Sequence, residues 1–169
     1  MARPNENEYP AFSKDYIAKT TGDNVIKELE ASVVPLQNFF GNILENRGTH
    51  SYAPGKWTVK QLIQHVIDAE RVFSYRAMCF ARGETQPLPS FDENIYADAA
   101  PADNRSLQGL VSELMLLRQA TVILFRHFSE KELEHKGIMA GSSTTVNSIG
   151  FIIAGHAIHH MNILRERYL

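Results

Sequence analysis

The sequence predicts an all-α fold, a four-helix bundle with a long crossover between its second and third helices. Four segments repeat apolar residues at the spacing of a helix face, and nothing convincingly alternates with the period of a strand. With 169 residues, of which 44% are hydrophobic, the chain is long enough to bury one core. We therefore expect one domain over residues 1–169, with residues 1–20 as an N-terminal extension.

The first predicted helix runs from Gly22 to Arg47. Its apolar residues recur at helical spacing and form the stripe Val25, Leu29, Val33, Leu36, Phe40 and Ile43. Pro35 falls inside this segment, and we expect a kink there because proline lacks an N–H and clashes with the preceding turn.

The second predicted helix begins after Thr58 and continues to Ala81. Thr58 can cap the first turn, and Gln61, three residues later, completes a capping box. Gly83 and the proline-rich segment TQPLPSF end this helix.

A long crossover, residues 82–105, follows the second helix. Connections of this length are uncommon in compact domains and are often functional. Because Phe91 and Tyr96 make the segment aromatic, we expect it to pack across one end of the bundle and to wall a pocket. Asp92 is then a candidate catalytic residue, close to any metal bound in that pocket. A packed crossover without a role in any site is the alternative.

The remaining helices are predicted from their stripes and caps. The third runs from Ser106 to Phe128, and a short capped turn follows at Ser129, with Glu132 at the capping-box position. The fourth runs from Asn147 to Tyr168, with Thr145 as its N-cap. Four amphipathic helices of about 20 residues bury their stripes most simply in a four-helix bundle.

Charge and composition argue against several classes of protein. The formal net charge is −2 and no five-residue basic run occurs, so neither nucleic acid nor a membrane surface is an expected partner. The apolar stretches are short for a membrane span, and the single cysteine suits a reducing cytoplasm. We expect a cytoplasmic protein whose partner is a small molecule. Its oligomeric state stays open, with a homodimer as the candidate.

The segment GHAIHHMN, residues 155–162, places three histidines within five residues. At about 100° per residue, His156 and His160 fall within roughly 20° of the centre of the apolar stripe, whereas His159 lies about 80° away. An i, i+4 pair is the spacing by which one helix presents two imidazoles to one metal. Two core histidines satisfied by hydrogen bonds are the alternative, and helix geometry alone leaves both open.

A further ligand is needed, and periodicity does not choose it. His65, on the second predicted helix, lies about 100° from the stripe centre, at the margin of the apolar face. His127 should be exposed, while His50 and His135 lie in loops or short turns. Cys79 lies well off the stripe, and we interpret it as an incidental small hydrophobe.

Glu70 and Arg118 are charged residues at positions where the stripes predict apolar ones. We interpret them as a buried ion pair that sets the helix register. The functional alternative makes Glu70 a catalytic residue, as a general base or as the acceptor that orients a ligand histidine. Asp68, Arg71 and Arg76 are expected on a solvated face of the second helix.

Two stretches of the chain carry a family resemblance: PGKWTVKQLIQHVIDAERVFSYRAMCFARGETQPLPSFDENIY and IIAGHAIHHMNILRERYL. They resemble the DinB-like family of DNA-damage-inducible proteins, related to YfiT-like metal-dependent hydrolases, small-thiol S-transferases and maleylpyruvate isomerases. The motifs are Trp57 followed eight residues later by His65, and the terminal HxxxH formed by His156 and His160. The resemblance covers nearly the whole chain beyond the first twenty residues. It also includes Arg71 and Arg76, which match charged positions that are common in the second helix of the family.

This resemblance implies a bundle in which His65, His156 and His160 bind a divalent metal, zinc or nickel. Three imidazoles leave a coordination position open, as in catalytic zinc sites. The resemblance further implies a metal-dependent enzyme, a small-thiol S-transferase or a hydrolase, in stress response or detoxification. A non-catalytic metal- or ligand-binding protein of the stress response is the alternative.

Overall fold

The computed structural model describes residues 2–169, and the predicted all-α fold is confirmed. In chain order the helices and strands are α1 (Lys14–Ile17), α2 (Val25–Gly41), α3 (Val59–Ala81), α4 (Glu93–Ala99), α5 (Leu107–Arg126), α6 (Glu130–Glu134), β1 (Lys136–Met139), β2 (Ser142–Thr145) and α7 (Val146–Arg167). The long helices α2, α3, α5 and α7 form the bundle, and the short elements connect or cover them.

Local side-chain caps set the starts of the long helices. The Thr58 hydroxyl accepts a hydrogen bond from the Gln61 N–H at 3.1 Å, and the Gln61 side chain accepts one from the Thr58 N–H at 2.9 Å. Thr145 caps α7 in the same way, by accepting from the Ser148 N–H at 3.1 Å. These caps place the starts of α3 and α7 within a residue of the predicted positions.

The first bundle helix is shorter than predicted at both ends. The Asn24 side chain caps it, so that α2 begins at Val25, and a separate 3₁₀ turn, Glu45–Arg47, follows its end at Gly41. Pro35 lies inside α2, and the helix continues beyond it for six residues.

The core lies along the seams between the four long helices. α3 packs against α5 and α7, and α2 packs against the same two helices from the other side. Phe40, Ile63, Leu114 and Phe151, one from each long helix, are fully shielded from solvent. Burial of each such side chain contributes about 1.5–3 kcal/mol, so apolar packing is the main source of stability in the bundle.

One helix requires a correction to the prediction that the apolar stretches are short for a membrane span. Among residues 2–169, α5 is long and apolar enough to cross a membrane by length and composition alone. In the bundle, however, it packs against α2 and α3 and carries the buried Arg118. We interpret α5 as a core helix.

A β-hairpin precedes α7, although no strand was predicted. β1 and β2 pair antiparallel, with Met139 opposite Ser142, and Ala140 and Gly141 form the turn with φ angles of 49° and 76°. Positive φ at both turn residues matches the twist of a two-residue hairpin. Strands of four residues are too short to give a clear alternating pattern in sequence, which is why the hairpin was missed.

The segment predicted as an N-terminal extension is folded against the bundle, where α1 packs on α7. The contact depends on Gly155, because a Cβ atom there would lie 1.9 Å from the carbonyl oxygen of Tyr16. This close approach brings the Tyr16 ring to 5.2 Å from the ring of His156. Residues near the N-terminus therefore contribute to the surroundings of the C-terminal histidines.

Candidate metal centre

Three histidines from two helices converge inside the bundle. The Nε2 atom of His156 lies 3.1 Å from Nε2 of His65 and 3.1 Å from Nε2 of His160. Their ring nitrogens form a group in which the potential ligand atoms all lie within 4.8 Å of one another. The three residues are only 9%, 5% and 7% exposed, in the order His65, His156, His160.

The packing of α3 against α7 explains this convergence. His156 and His160 are one helical turn apart on the buried face of α7, as their central position on the stripe predicted. His65 lies at the margin of the apolar face of α3, and it is buried because α7 packs against this side of α3.

Burial keeps all three imidazoles neutral at physiological pH. Loss of solvent lowers the pKa of His65 to about 4. Burial also holds the pKa of His156 and of His160 well below its ordinary value, and the neighbouring histidines lower it further. Neutral imidazole is the form that binds a metal.

Two of the three separations between the ring nitrogens match the spacing of donors around a divalent metal ion. A metal about 2.1 Å from each nitrogen places neighbouring donors about 3.0–3.4 Å apart, depending on the coordination geometry. The two 3.1 Å separations fall in this range. Nδ1 of His160 is buried and has no hydrogen-bond partner in residues 2–169, so no acceptor in this part of the chain fixes the tautomer of this ring, as one usually does for a ligand histidine.

A cavity of about 510 Å³ opens beside the three histidines, within the size range of small-molecule sites. Its wall is mostly aromatic, from Phe12, Tyr16, Trp57, Phe73 and Phe91, with Arg76, Ser90 and Glu93 as further polar members. The Trp57 ring lies 4.8 Å from the ring of His65, and the Phe73 ring lies 6.0 Å from that of His156. The candidate ligands therefore face a space that an organic molecule can enter.

The other histidines and the cysteine lie outside this group. His159 is half-buried and packs edge-on against Tyr16 at 5.2 Å. His127 is exposed, as predicted, and the Nδ1 of His135 lies 3.0 Å from the carbonyl oxygen of Ala81. Cys79 is half-buried and packs at the edge of the core, in keeping with its interpretation as a small hydrophobe.

Glu70 and Arg118 form a closed ion pair, as their structural interpretation predicted. Both carboxylate oxygens of Glu70 accept hydrogen bonds from the Arg118 guanidinium at 2.8 Å. Arg118 also donates to the hydroxyl of Ser32 and to the carbonyl oxygen of Ile153. Glu70 does not line the cavity in the described part of the chain, so the geometry does not favour it as a catalytic base or as the acceptor for a ligand histidine.

Two expectations about charged residues need correction. Asp92 caps α4 by accepting hydrogen bonds from the N–H groups of Asn94 and Ile95, and it is the next residue, Glu93, that lines the cavity. Arg76, expected on a solvated face, is only 5% exposed and also lines the cavity, whereas Arg71 is half-exposed and pairs with Glu113. The crossover that covers Arg76 could not be placed from periodicity.

Residues 15–164 match the DinB superfamily. The chain belongs to this family. It is also similar to "Putative metal-dependent hydrolase OB0413" of Oceanobacillus iheyensis, with 21% identity over 137 residues, which are 80% of this chain and 79% of that one.

The solved structures that are similar to this fold include the following two. YfiT from Bacillus subtilis, described as a probable metal-dependent hydrolase with an unusual four-helix bundle topology, aligns with a TM-score of 0.75 at 18% identity and covers 96% of this chain and 89% of its own. The mycothiol-dependent maleylpyruvate isomerase aligns with a TM-score of 0.67 at 13% identity over 85% of this chain. The match spans 59% of the isomerase chain, and at these identities both likenesses concern the fold.

Proposed function

We propose that this protein is a metal-dependent enzyme that transfers a small thiol to an electrophilic small molecule. The observation that carries the proposal is the group of three buried, neutral imidazoles of His65, His156 and His160 on the wall of an aromatic cavity. Three protein ligands would leave a coordination position open on a bound metal, which is the pattern of catalytic sites. Zinc and nickel are the candidate metals.

The metal would be held by His65, His156 and His160. When bound, a divalent metal supplies Lewis acidity, which lowers the pKa of a water or thiol that it contacts. Trp57, packed on His65, and Phe73, packed near His156, restrict the two rings and shield the site from bulk water. The reaction would form one carbon–sulfur bond, while the thiol proton passes to the product or departs with a leaving group.

Tyr16 is placed to assist by hydrogen bonding. Burial raises the pKa of the Tyr16 phenol, and the nearby carboxylate of Glu93 raises it further, so the hydroxyl keeps its proton at neutral pH. A protonated phenol on the cavity wall can donate to an oxygen of the electrophile on which negative charge develops. Asp92 and Glu70 have no part in this proposal.

Hydrolysis is the second candidate function. It is supported by the names of the Oceanobacillus iheyensis protein and of YfiT, both described as metal-dependent hydrolases. The same three histidines would bind the metal, with water in place of the thiol as the nucleophile.

We also propose that the protein works in the cytoplasm, where small thiols are abundant. The single cysteine supports this, because it cannot form a disulfide within the chain.

The test begins with metal analysis of the purified protein, in which we expect about one divalent ion per chain. Cobalt is then substituted for the native metal, and small thiols are added. Coordination of sulfur should change the visible spectrum of the cobalt. The same thiol should be consumed with 1-chloro-2,4-dinitrobenzene, and a chelator should abolish the reaction while the helical circular dichroism is retained.

Other results would redirect the proposal. Sulfur coordination without turnover against a broad panel of electrophiles would favour a non-catalytic binding protein. A cobalt spectrum that no thiol changes, together with metal-dependent cleavage of nitrophenyl esters, would favour the hydrolase.

A further inference from the structure

Arg76 lies on the same wall of the cavity as the candidate metal ligand His65. The two residues are eleven positions apart on α3, so their side chains leave the helix within about 20° of the same direction. Ala69 and Phe73, which lie between them on this face, line the cavity as well. One face of α3 therefore carries a metal-ligand position near its N-terminal end and a cation near its C-terminal end.

The Arg76 guanidinium is buried without a countercharge. The side chain is only 5% exposed, and its one hydrogen bond within residues 2–169 is donated to the carbonyl oxygen of Pro89 at 2.7 Å. A guanidinium has five N–H donors, and in this part of the chain no carboxylate lies within 4.0 Å of Arg76. Burial of a cation is costly unless it is paired, so an anion that enters the cavity would supply the partner that Arg76 does not have in this part of the chain.

Arg118 shows what the fold does when an arginine is purely structural. Its guanidinium is fully buried, and its Nε and Nη2 donate to the two oxygens of Glu70, with Ser32 and Ile153 as further acceptors. Arg76 has a comparable burial but one neutral acceptor. Glu93 is the acidic residue of the cavity wall, and its carboxylate is exposed and lies beyond ion-pair distance from Arg76.

We propose that Arg76 binds the carboxylate, or another anionic end group, of the substrate whose reactive end lies at the three histidines. This inference rests on the proposed function and adds to it the class of substrate, an extended organic anion. Along α3 the eleven residues from His65 to Arg76 span about 16 Å, and the Arg76 side chain leans back towards His65, as helical side chains do. A ligand that contacts both Arg76 and the three histidines must therefore be an extended molecule, because a small inorganic ion cannot reach both.

Trp57 provides a direct measure of cavity occupancy. It is the only tryptophan in the sequence, and it lines the cavity beside His65. We would titrate the metal-loaded protein with 6-mercaptohexanoate and with its neutral primary amide, and follow the fluorescence of Trp57. The carboxylate should bind at least about tenfold more tightly than the amide, because charge-assisted bidentate hydrogen bonds to arginine are the strong ones.

Substitutions of Arg76 separate substrate binding from a merely structural role. In Arg76→Gln the preference for the carboxylate should fall to about twofold or less with amide binding unchanged, and Arg76→Lys should keep part of the preference. Arg71→Gln is the matched control, since Arg71 lies on the same helix outside the cavity and should leave the preference intact. A structural role through the contact with Pro89 would instead weaken carboxylate and amide equally.

A sulfur-free pair, 3-phenylpropanoate and its amide, distinguishes an anionic thiol from an anionic electrophile. If this pair alone shows the Arg76-dependent preference, the anion belongs to the electrophile or to the substrate of a hydrolase. That result leaves the Arg76 inference standing even where no thiol changes the cobalt spectrum and the transferase proposal fails. Equal binding of carboxylate and amide by the wild-type protein in both pairs would overturn the inference, whether or not the variants fold.

Discussion

Two polar clusters lie inside the same bundle, and they differ in how their hydrogen bonds are completed. They begin five residues apart on α3, at His65 and at Glu70. Glu70 is held at both oxygens by Arg118, so this cluster satisfies itself. The cluster of His65 brings three ring nitrogens together beside a cavity. Nε2 of His156 is the common partner of the other two, so the three nitrogens cannot all be satisfied by hydrogen bonds to one another.

The difference separates a structural polar cluster from a candidate site. Buried polar groups are almost always paired, so a closed pair such as Glu70 and Arg118 needs no ligand. The ring nitrogens of His65, His156 and His160 converge next to an open cavity, which is an arrangement suited to a ligand from outside the chain. The same contrast separates the two buried arginines, of which Arg118 is fully paired and Arg76 is not.

Substitution of a histidine in the cluster of His65 should have the largest effect of the changes considered, and the effect should be on metal binding. His156→Ala or His160→Ala should reduce occupancy from about one ion per chain to little or none. Loss of a residue that only hydrogen-bonds to a metal ligand already costs about 10–100-fold in affinity, and loss of the ligand itself should cost more. Dialysis followed by elemental analysis measures this. His159→Ala, one residue from His160, is the matched control and should retain the metal; loss of metal in that variant alone would show that the ligand assignment is wrong.

Removal of one partner of the Glu70–Arg118 ion pair should reduce the stability of the protein and leave metal binding unchanged. Glu70→Ala leaves Arg118 buried without its partner and should lower the free energy of unfolding by about 3–5 kcal/mol, as measured by urea denaturation. The double variant Glu70→Leu with Arg118→Met should recover most of this loss, because an apolar pair of similar volume avoids the uncompensated charge. Loss of metal from a folded Glu70→Ala protein would instead link Glu70 to the histidines.

Acid should destabilise the metal-free protein because it protonates the buried histidines of the His65 cluster. Because burial lowers the pKa of His65 from 6.5 to about 4, the unfolded chain binds more protons than the folded one between these values. Stability should therefore fall as the pH drops from 6.5 to 4, and His65 alone should contribute about 3 kcal/mol of this loss. Urea denaturation at a series of pH values measures the slope. His65→Asn should reduce the slope but not abolish it, because burial also lowers the pKa of His156 and His160. His127→Asn, at an exposed histidine, is the control and should leave the slope unchanged.

The sequence by itself determined the features that depend on neighbours within one turn of helix. Thr58 and Thr145 mark the starts of α3 and α7 because a cap is a bond across three residues. His156 and His160 share a face because helical periodicity places i and i+4 together. The buried positions of Glu70 and Arg118 also followed from their stripes, although their pairing was one of two interpretations.

Only the tertiary structure decided which marginal positions became buried. His65 and Arg76 lie on α3 at positions that periodicity left at the margin or assigned to solvent, and α7 and the crossover cover them. The placement of Glu93 rather than Asp92 on the cavity wall depends on the cap of α4, and the placement of Tyr16 depends on the approach of α1 to Gly155. These are contacts between residues far apart in the chain, and a helical pattern fixes only the direction of a side chain from its own axis, not what lies opposite it.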